Sequence, residues 1–443
     1  MWSQADAALR DRDPELEHLR RVLDADDAAE LLARALPALG ITDVAAEYVR
    51  YKPHTSCLVS YRLATAAGET WAYMKAWSDD AAEKADKLRR LPERFEADAP
   101  VPSDVAAGVM VAAFPWDRKL PAAPDLGTEM AQTRLLRSLL PGWDVANLQV
   151  VGLRYKPERR YVARVDGPDG PVAILKCYDD GAFDRAVGGA RAVERDPEFV
   201  TAALAGVARR RRVTLGEWLP GEGLDGLIRA GRDPLDVYPK VGAELAALHS
   251  SEPLGWPRRD SYEVPESIHA AVRTIGTVLP QLVGPAQQVA DRCVAGLDWA
   301  AQGSAIHGDF SADQVLVDGG TPTLIDFDRA TVGLPVEDLG RFVANLWAAE
   351  VGGVLSAAQA AERGQAFLDG YADAAAVGVD GPELAGLGVA TAAALLQLAQ
   401  EPFRRRDPAW DEQTQALVER AAQAVASPTL GFRARDLAHG GAR

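Results

Sequence analysis

The sequence predicts an α+β fold in which a strand-rich unit occurs twice and is followed by a mainly helical half. Three observations predict this fold: a repeated block in the first half of the chain, short strand-like runs after each copy of the block, and long alanine- and leucine-rich segments after about residue 225. The chain has 443 residues, more than one hydrophobic core usually accommodates, so several domains are expected.

The repeat is clearest in the tetrapeptide Arg-Tyr-Lys-Pro, which occupies residues 50–53 and returns at 154–157, an offset of 104 residues. Three further blocks recur in the same order at offsets of 101 to 105 residues, namely 31–37 with 135–141, 73–76 with 174–177, and 114–115 with 219–220. Four blocks in one order at nearly one offset indicate two copies of a single structural unit.

Each copy has the pattern of a helix, then a strand pair, then a single strand, and two of these strands can be placed in each copy. The first block of each copy keeps its leucines at helical spacing and ends at a proline. The strands are predicted at 56–64 and 70–77 in the first copy and at 160–166 and 171–179 in the second, with turns at Gly68 and Gly170. After the second copy, helices are predicted within 241–250, 267–300 and 385–400.

Composition excludes several classes of protein. The net charge of −16 argues against general nucleic-acid binding, which needs a positive field. No apolar run approaches the roughly 18 residues that span a bilayer, and the first twenty residues lack the apolar segment of a secretory signal. The three cysteines have no metal-ligand spacing and are expected to be reduced thiols. We therefore expect a cytoplasmic protein with no membrane or nucleic-acid partner.

The stretch that carries the chemistry begins at His307-Gly308-Asp309. Gln314 follows Asp309 by five residues and Asp326 follows it by seventeen, with apolar residues between them that suit a buried hairpin. Phosphoryl transfer from ATP needs a carboxylate near the acceptor hydroxyl and oxygen ligands for Mg²⁺. This spacing can supply both.

The chain resembles the aminoglycoside phosphotransferase and choline kinase family over roughly residues 135–400. The resemblance rests on five motifs in the family's order: the hinge-like Glu217-Trp218-Leu219 followed by Pro220-Gly221, the helical segment 243–249, His307-Gly308-Asp309, the Asp326 motif 325–327, and the segment 333–339. It implies a bilobal protein-kinase-like fold with a duplicated N-terminal lobe and a mainly helical C-terminal lobe.

The resemblance also implies roles for single residues. Asp309 is the expected catalytic base, with His307 bracing the catalytic loop, and Asp326 is the expected main Mg²⁺ ligand. Gln314 is the expected second ligand; the family usually has Asn there, and the amide oxygen of Gln is still a hard ligand suited to Mg²⁺. Asp338 is expected to be a structural carboxylate.

Two lysines could serve the nucleotide, Lys75 in the first copy and Lys176 in the second. We choose Lys176 because its copy leads directly into the hinge and the catalytic loop. Its expected carboxylate partner is Glu194, while Glu83 or Glu93 could serve Lys75.

The hinge residues Glu217, Trp218 and Leu219 are expected to contact the base, and the choice between ATP and GTP stays open. No Gly-rich loop is present between the first two strands of the second copy. Lys156, Arg159 or Arg160 could contact phosphate there instead, although a solvated basic turn explains them as well.

The predicted organisation has four parts. These are an N-terminal helical extension (1–27), an N-lobe copy without its own catalytic loop (28–125), a nucleotide-binding N-lobe (126–222), and a helical C-lobe with the catalytic loop and acceptor site (223–443).

The predicted function is the transfer of the γ-phosphate of ATP, with Mg²⁺, to a hydroxyl of an aminoglycoside, sugar or related natural product. One alternative is a kinase acting on Ser or Thr hydroxyls of a peptide, in which the first copy recognises the peptide or a partner protein. A second is a nucleotide-binding pseudokinase scaffold, against which the intact Asp309 and Asp326 speak.

Overall fold

A computed structural model describes residues 2–78, 83–106, 108–195, 199, 201–301, 303–377, 384–427 and 430. The chain divides into two compact units. The first consists of Met1–Val187, Ala203–Trp218 and Pro402–Asp411, and the second of Gly188–Ala202, Leu219–Glu401 and Glu412–Arg443. The change after Trp218 lies close to the predicted boundary at residue 222.

The first unit contains two five-stranded sheets whose paired strands all run antiparallel. The strand orders are β1-β2-β3-β5-β4 and β6-β7-β8-β10-β9, so the two sheets have the same order. The strands of the first sheet are β1 (Ile41–Lys52), β2 (Ser56–Thr65), β3 (Gly68–Trp77), β4 (Ser103–Ala106) and β5 (Val109–Ala113). Those of the second are β6 (Gln149–Lys156), β7 (Arg160–Gly167), β8 (Gly170–Tyr178), β9 (Leu204–Ala208) and β10 (Val213–Glu217).

The turns at the start of each sheet also correspond. His54, between β1 and β2, and Glu158, between β6 and β7, both have left-handed backbone conformations, with φ of 57° and 58°. A residue other than glycine adopts that conformation infrequently. The shared strand order and the shared turn geometry support the predicted duplication, and the four domain boundaries stay a prediction.

The helices of the first unit surround these sheets. Asp24 begins the helix before the first sheet by accepting hydrogen bonds from the amides of Asp26 and Asp27, and Thr128 begins the helix before the second sheet by accepting one from the amide of Ala131. Both helices end just before the prolines noted in the sequence. The helices are α1 (Gln4–Arg12), α2 (Leu19–Leu23), α3 (Ala25–Ala35), α4 (Glu83–Arg89), α5 (Glu129–Leu139) and α6 (Phe183–Val193), the last of which continues into the second unit.

The core of the first unit joins the two sheets through aromatic side chains. Phe114 stacks on Tyr161 with ring centroids 4.3 Å apart, and Trp71 meets Tyr161 edge-on at 6.2 Å. Tyr73 and Tyr155 are also buried in this cluster. Rings from both sheets therefore share one hydrophobic core, which fixes the sheets against each other.

A segment from the far end of the chain completes the first unit. Arg406 donates hydrogen bonds to both carboxylate oxygens of Asp6, at 2.9 and 3.0 Å, and the indole N–H of Trp410 donates to the same carboxylate at 3.2 Å. Burial alone would raise the pKa of Asp6, but Arg406 outweighs it and lowers the pKa below its usual value. The segment 402–411 thus belongs with the N-terminal helix.

The second unit is mainly helical, as predicted. The region 267–300, predicted as helical, is divided between two helices because Pro280 follows the first of them and begins a 3₁₀ turn. The helices are α7 (Leu224–Arg229), α8 (Val237–Ser250), α9 (Glu263–Val278), α10 (Val283–Gly296), α11 (Pro335–Val351), α12 (Ala357–Ala375), α13 (Leu387–Leu398), α14 (Glu401–Arg404, which runs into the first unit) and α15 (Trp410–Ala426, which begins in the first unit).

Two small sheets complete the second unit. One has the order β11-β13-β14 and the other pairs β12 with β15. Their strands are β11 (Glu222–Gly223), β12 (Ser304–Ile306), β13 (Val315–Asp318), β14 (Thr321–Leu324) and β15 (Thr331–Gly333). The predicted α+β class with a helical C-terminal part is confirmed. Among the described residues, no helix has the length and apolar character needed to cross a bilayer.

Candidate active site

The β13–β14 hairpin brings Gln314 and Asp326 close together in the backbone. Buried Val315 and Leu324 face each other as the last residue pair of the hairpin. Beyond them, the amide of Ile325 donates a hydrogen bond to the carbonyl oxygen of Gln314 at 2.9 Å. Asp326 therefore directly follows Ile325, the residue that is hydrogen-bonded to Gln314.

Asp326 itself has a left-handed backbone, with φ of 64° and ψ of 58°. For a residue with a side chain this conformation costs of order 1–3 kcal/mol, and such residues concentrate at functional sites. Asp326 lies at the start of a short 3₁₀ turn, Phe327–Arg329, directly after the hairpin.

The loop that carries Asp309 is held by the buried carboxylate of Asp338. The amide of His307 donates to Asp338 Oδ2 at 2.6 Å, and the amide of Gly308 donates to Oδ1 at 2.9 Å. His307 Nε2 donates to the carbonyl oxygen of Ile325 at 2.8 Å. Since a carbonyl only accepts, the proton of this imidazole is on Nε2. His307 thus joins the loop of Asp309 to the residue before Asp326.

A glycine is needed at position 308 because the turn Phe327–Arg329 lies close to its backbone. Its φ is 77°, and a Cβ atom at this position would lie 2.4 Å from the carbonyl oxygen of Arg329. Any larger residue would push the loop off that turn. The glycine of the His-Gly-Asp motif therefore permits the close approach of the two segments that carry Asp309 and Asp326.

Asp338 is itself held in place by His249, which also contacts Tyr371. His249 Nε2 lies 3.2 Å from Asp338 Oδ2, and His249 Nδ1 lies 3.0 Å from the hydroxyl of Tyr371. Burial alone would raise the pKa of Asp338, but His249 and His307 outweigh it and lower the pKa below its usual value. Asp338 is therefore an ionised, buried support for the loop, which matches the structural role implied by the resemblance.

Two arginines flank Asp309, and the sequence reasoning missed both. Arg341, on α11, forms an ion pair with Asp309 Oδ1, and Arg329 Nε lies 3.6 Å from Oδ2. Arg341 Nη1 donates to Gln397 Oε1 at 3.0 Å, and Gln397 Nε2 donates to Ser267 Oγ at 2.9 Å. This chain of contacts through three helices holds the Asp309 carboxylate in place.

The donor atoms of the hairpin suit a hard cation. Mg²⁺ in nucleotide enzymes is bound by one or two protein oxygen ligands together with phosphate and water oxygens. Across the described residues, no three His, Cys, Asp or Glu side chains form a cage for a metal ion. A carboxylate at Asp326 and an amide oxygen at Gln314, on neighbouring backbone positions, fit the open arrangement that Mg²⁺ with ATP requires.

Comparison with known proteins decides the family. A model of the phosphotransferase enzyme family matches residues 136–377, more than half of the chain. The chain belongs to the phosphotransferase enzyme family. The prediction of a phosphotransferase with a kinase activity is thereby confirmed, as is the suspected resemblance.

The chain is similar to several solved structures. A choline kinase from Cryptosporidium parvum Iowa II is 10% identical with a TM-score of 0.50, covering 67% of this chain and 95% of that one. A choline/ethanolamine kinase family protein from Mesorhizobium loti is 16% identical with a TM-score of 0.46, covering 68% and 97%. An amicoumacin kinase in complex with AMP-PNP and Ca²⁺ is 14% identical with a TM-score of 0.49, covering 70% and 96%. A search of curated proteins finds no match to the chain.

The predicted nucleotide residues of the phosphotransferase lie on the second sheet and just after it. Lys176 is half-buried on the central strand β8, and Glu194 is exposed one residue after the end of α6. Glu217 ends β10, where its amide donates to the carbonyl of Ala203 at 2.9 Å. The roles of Lys176, Glu194 and Glu217 stay predictions.

The chain passes from the first unit to the second between Trp218 and Leu219, where the hinge was predicted. The amide of Trp218 donates to the carbonyl of Val172 at 3.3 Å. Lys156 Nζ lies 5.5 Å from the centre of the Tyr48 ring, in the first sheet. The contacts of these residues with a nucleotide stay predictions as well.

The corresponding lysine of the first sheet has a carboxylate partner that the sequence did not suggest. Lys75 Nζ donates to Glu158 Oε1 at 2.8 Å, and Arg50 and Arg118 bind the same carboxylate. The amide of Glu158 donates to buried Asp117 at 2.6 Å. A residue from the β6–β7 turn of the second sheet therefore occupies the anion position beside Lys75.

Proposed function

We propose that this protein is an ATP- and Mg²⁺-dependent phosphotransferase that moves the γ-phosphate to a hydroxyl of a small molecule, such as an aminoglycoside, sugar or related natural product. The observation that carries the proposal is the hydrogen bond of His307 Nε2 to the carbonyl of Ile325 at 2.8 Å. It joins the backbone that bears Asp309 to the backbone that bears Asp326. Phosphoryl transfer needs these two carboxylates at one site.

Asp309 is assigned the role of orienting the acceptor hydroxyl and accepting its proton. Arg341 binds Oδ1, which leaves Oδ2, 3.6 Å from Arg329 Nε, for the hydroxyl. The ion pair restricts the rotation of the carboxylate. Positioning of this kind supplies a large share of catalysis in phosphoryl transfer.

Asp326 and Gln314 are assigned as the protein ligands of Mg²⁺. When bound at these residues, the ion would neutralise negative charge on the phosphates of ATP. The hydrogen bond between the amide of Ile325 and the carbonyl of Gln314 keeps Gln314 and Asp326 close together in the backbone. His307 holds the catalytic loop through its contact with Ile325.

Lys176 is assigned to the phosphates of ATP with Glu194 as its partner, and Lys156 is kept as a second phosphate contact. Glu217, Trp218 and Leu219 are assigned to the base. Support comes from the position of Lys176 on the central strand of the sheet that precedes the hinge. ATP as the donor accords with a cytoplasmic location, which remains part of this proposal.

A small-molecule acceptor is preferred over the peptide alternative. One solved structure with a similar fold is named as a choline kinase, after a small alcohol. The first copy, proposed to span residues 28–125, has Glu158 beside its lysine and is assigned a structural role. Nothing in this arrangement requires a peptide or a partner protein.

The test is a panel of hydroxylated small molecules and Ser/Thr peptides, incubated with labelled ATP and Mg²⁺ and read by mass spectrometry. Asp309→Asn is expected to lower the transfer rate to the accepted compound by about 10²- to 10⁴-fold. The matched control is Asp313→Asn, an exposed carboxylate four residues later in the same loop, which is expected to stay within about twofold of wild type. Equal rates for wild type and Asp309→Asn would support the scaffold alternative instead.

A further inference from the structure

The two sheets of the first unit place an arginine and a lysine at matching positions. In the first sheet, Arg50 on β1 pairs with Leu58 on β2, which pairs with Lys75 on β3. Residues directly opposite each other across antiparallel strands project from the same face. Arg50 and Lys75 therefore share one face of that sheet, two strands apart.

The second sheet repeats this register. Arg154 on β6 pairs with Val162 on β7, which pairs with Lys176 on β8. Arg154 and Lys176 therefore share one face in the same way. Arg154 is the residue of the second Arg-Tyr-Lys-Pro block that corresponds to Arg50.

The first pair shows what such an arrangement binds. Lys75 Nζ donates to Glu158 Oε1 at 2.8 Å, and the Arg50 guanidinium binds Oε2 of the same carboxylate. The Glu158 side chain is only 2% exposed. One oxyanion thus bridges the two cations in a buried position, and the donors that bind carboxylate also bind phosphate.

In the second sheet, no carboxylate of the described residues binds Arg154 in the way that Glu158 binds Arg50. The Arg154 side chain is exposed and forms no ion pair with any residue in the described part of the chain. Two nearby basic side chains are directed to protein groups: Lys156 lies against Tyr48, and Arg159 Nη1 lies 3.8 Å from Asp179. Arg154 is therefore an exposed cation of β6 that can bind an external anion.

We propose that Arg154 binds a phosphate of ATP together with Lys176, at the position that Glu158 occupies between Arg50 and Lys75 in the other sheet. The inference rests on the proposed function, since it requires the second sheet to hold the nucleotide. It adds a phosphate-binding residue in place of the missing Gly-rich loop. The first sheet carries its own internal anion at the matching place.

The experiment uses the full chain. Calorimetry measures the dissociation constant of ATP with Mg²⁺, and competition with ATP gives the inhibition constant of adenosine. Arg154→Gln is expected to weaken ATP binding by about 10- to 100-fold, the value of a charge-assisted contact. Adenosine, which has no phosphate, is expected to bind both proteins equally. Arg154→Lys is expected to recover part of the lost affinity, and Arg137→Gln, a control at an exposed arginine on α5, is expected to bind ATP as wild type does.

The outcomes separate this inference from the function it rests on. If wild type and Arg154→Gln bind ATP equally while Lys176→Gln binds it weakly, the role of Arg154 is wrong and the proposed function stands. If wild type binds no nucleotide, both are wrong. If Arg154→Gln weakens adenosine as much as ATP, the residue supports the fold and does not contact phosphate.

Discussion

Glu158 Oε1 accepts a hydrogen bond from Lys75 Nζ at 2.8 Å, although the two residues come from different sheets and lie 83 positions apart in the chain. Arg50, Arg118 and Lys119 also face this one carboxylate. Burial, together with the positive charges of Arg118 and Arg50, lowers the pKa of Lys75 to about 8. Glu158 opposes this shift because it favours the charged amine. Glu158 is the anion that allows these cations to be held together.

Replacing that anion is expected to destabilise the first unit. In Glu158→Gln the buried cations lose their counter-charge, and removal of one member of a buried ion pair costs about 3 to 5 kcal/mol. The free energy of unfolding, measured by urea denaturation, should fall by that amount. Glu69→Gln is the matched control, since Glu69 is 63% exposed and lies 3.6 Å from Arg62. Its effect should stay below about 0.5 kcal/mol; similar losses in both variants would contradict the prediction.

The ion pair between Glu158 and Lys75 also predicts that the stability of the protein depends on pH. Burial alone would raise the pKa of Glu158, but Lys75, Arg50 and Arg118 outweigh it and lower the pKa from 4.5 to about 2. A carboxyl with a lowered pKa in the folded state stabilises the protein fully above pH 4.5, and this contribution is lost as the pH falls toward 2. Between pH 5 and about 3, the free energy of unfolding of wild type should therefore fall more steeply than that of Glu158→Gln. Parallel curves would contradict the prediction, because they would show that the pKa of Glu158 is the same in the folded and the unfolded protein.

Arg341 is expected to act on the rate through the position of Asp309. In Arg341→Gln the carboxylate loses the ion pair that restrains it, and a misplacement of about 1 Å can cost on the order of 100-fold in rate. The kcat should fall by about 10- to 100-fold while the KM for ATP changes by less than about threefold. Arg329→Gln, which removes the more exposed and more distant arginine, should lower kcat less. A rise in the KM for ATP without a change in kcat would contradict this role.

Gln314 is expected to set the requirement for magnesium. In Gln314→Ala the amide ligand is lost while the Asp326 carboxylate is retained. The Mg²⁺ concentration for half-maximal activity, at saturating ATP, should rise by about 10- to 100-fold. Asp313→Asn, the neighbouring exposed position, should leave that concentration unchanged. An unchanged requirement in Gln314→Ala would mean that the longer side chain does not reach the metal.

The sequence was most informative where a function depends on residues close together in the chain. The spacing of Asp309, Gln314 and Asp326 predicted a hairpin carrying oxygen ligands, and the structure has that hairpin at β13 and β14. The repeated blocks likewise predicted two similar strand units, and two sheets of the same order are present. Short-range spacing is visible in one sequence because it follows from the period of strands and the length of turns.

Contacts between distant residues could not be predicted in this way. Glu158 lies in a basic turn that suggested phosphate contact or a solvated loop, and its neighbours along the chain contain no sign of Lys75. Arg341 lies in a helix whose pattern indicates only packing, yet it binds Asp309. Such ion pairs depend on the three-dimensional arrangement of whole sheets and helices, and propensity and periodicity do not contain that arrangement.

The ion pair between Asp6 and Arg406 has a consequence for how the protein is made. The ribosome releases the N-terminal helix early, but the arginine that neutralises its buried carboxylate emerges 400 residues later. Throughout synthesis the growing chain therefore carries an N-terminal region that lacks its counterion and the covering indole of Trp410. The helix that carries Asp6 is thus completed only after the segment with Arg406 has been translated.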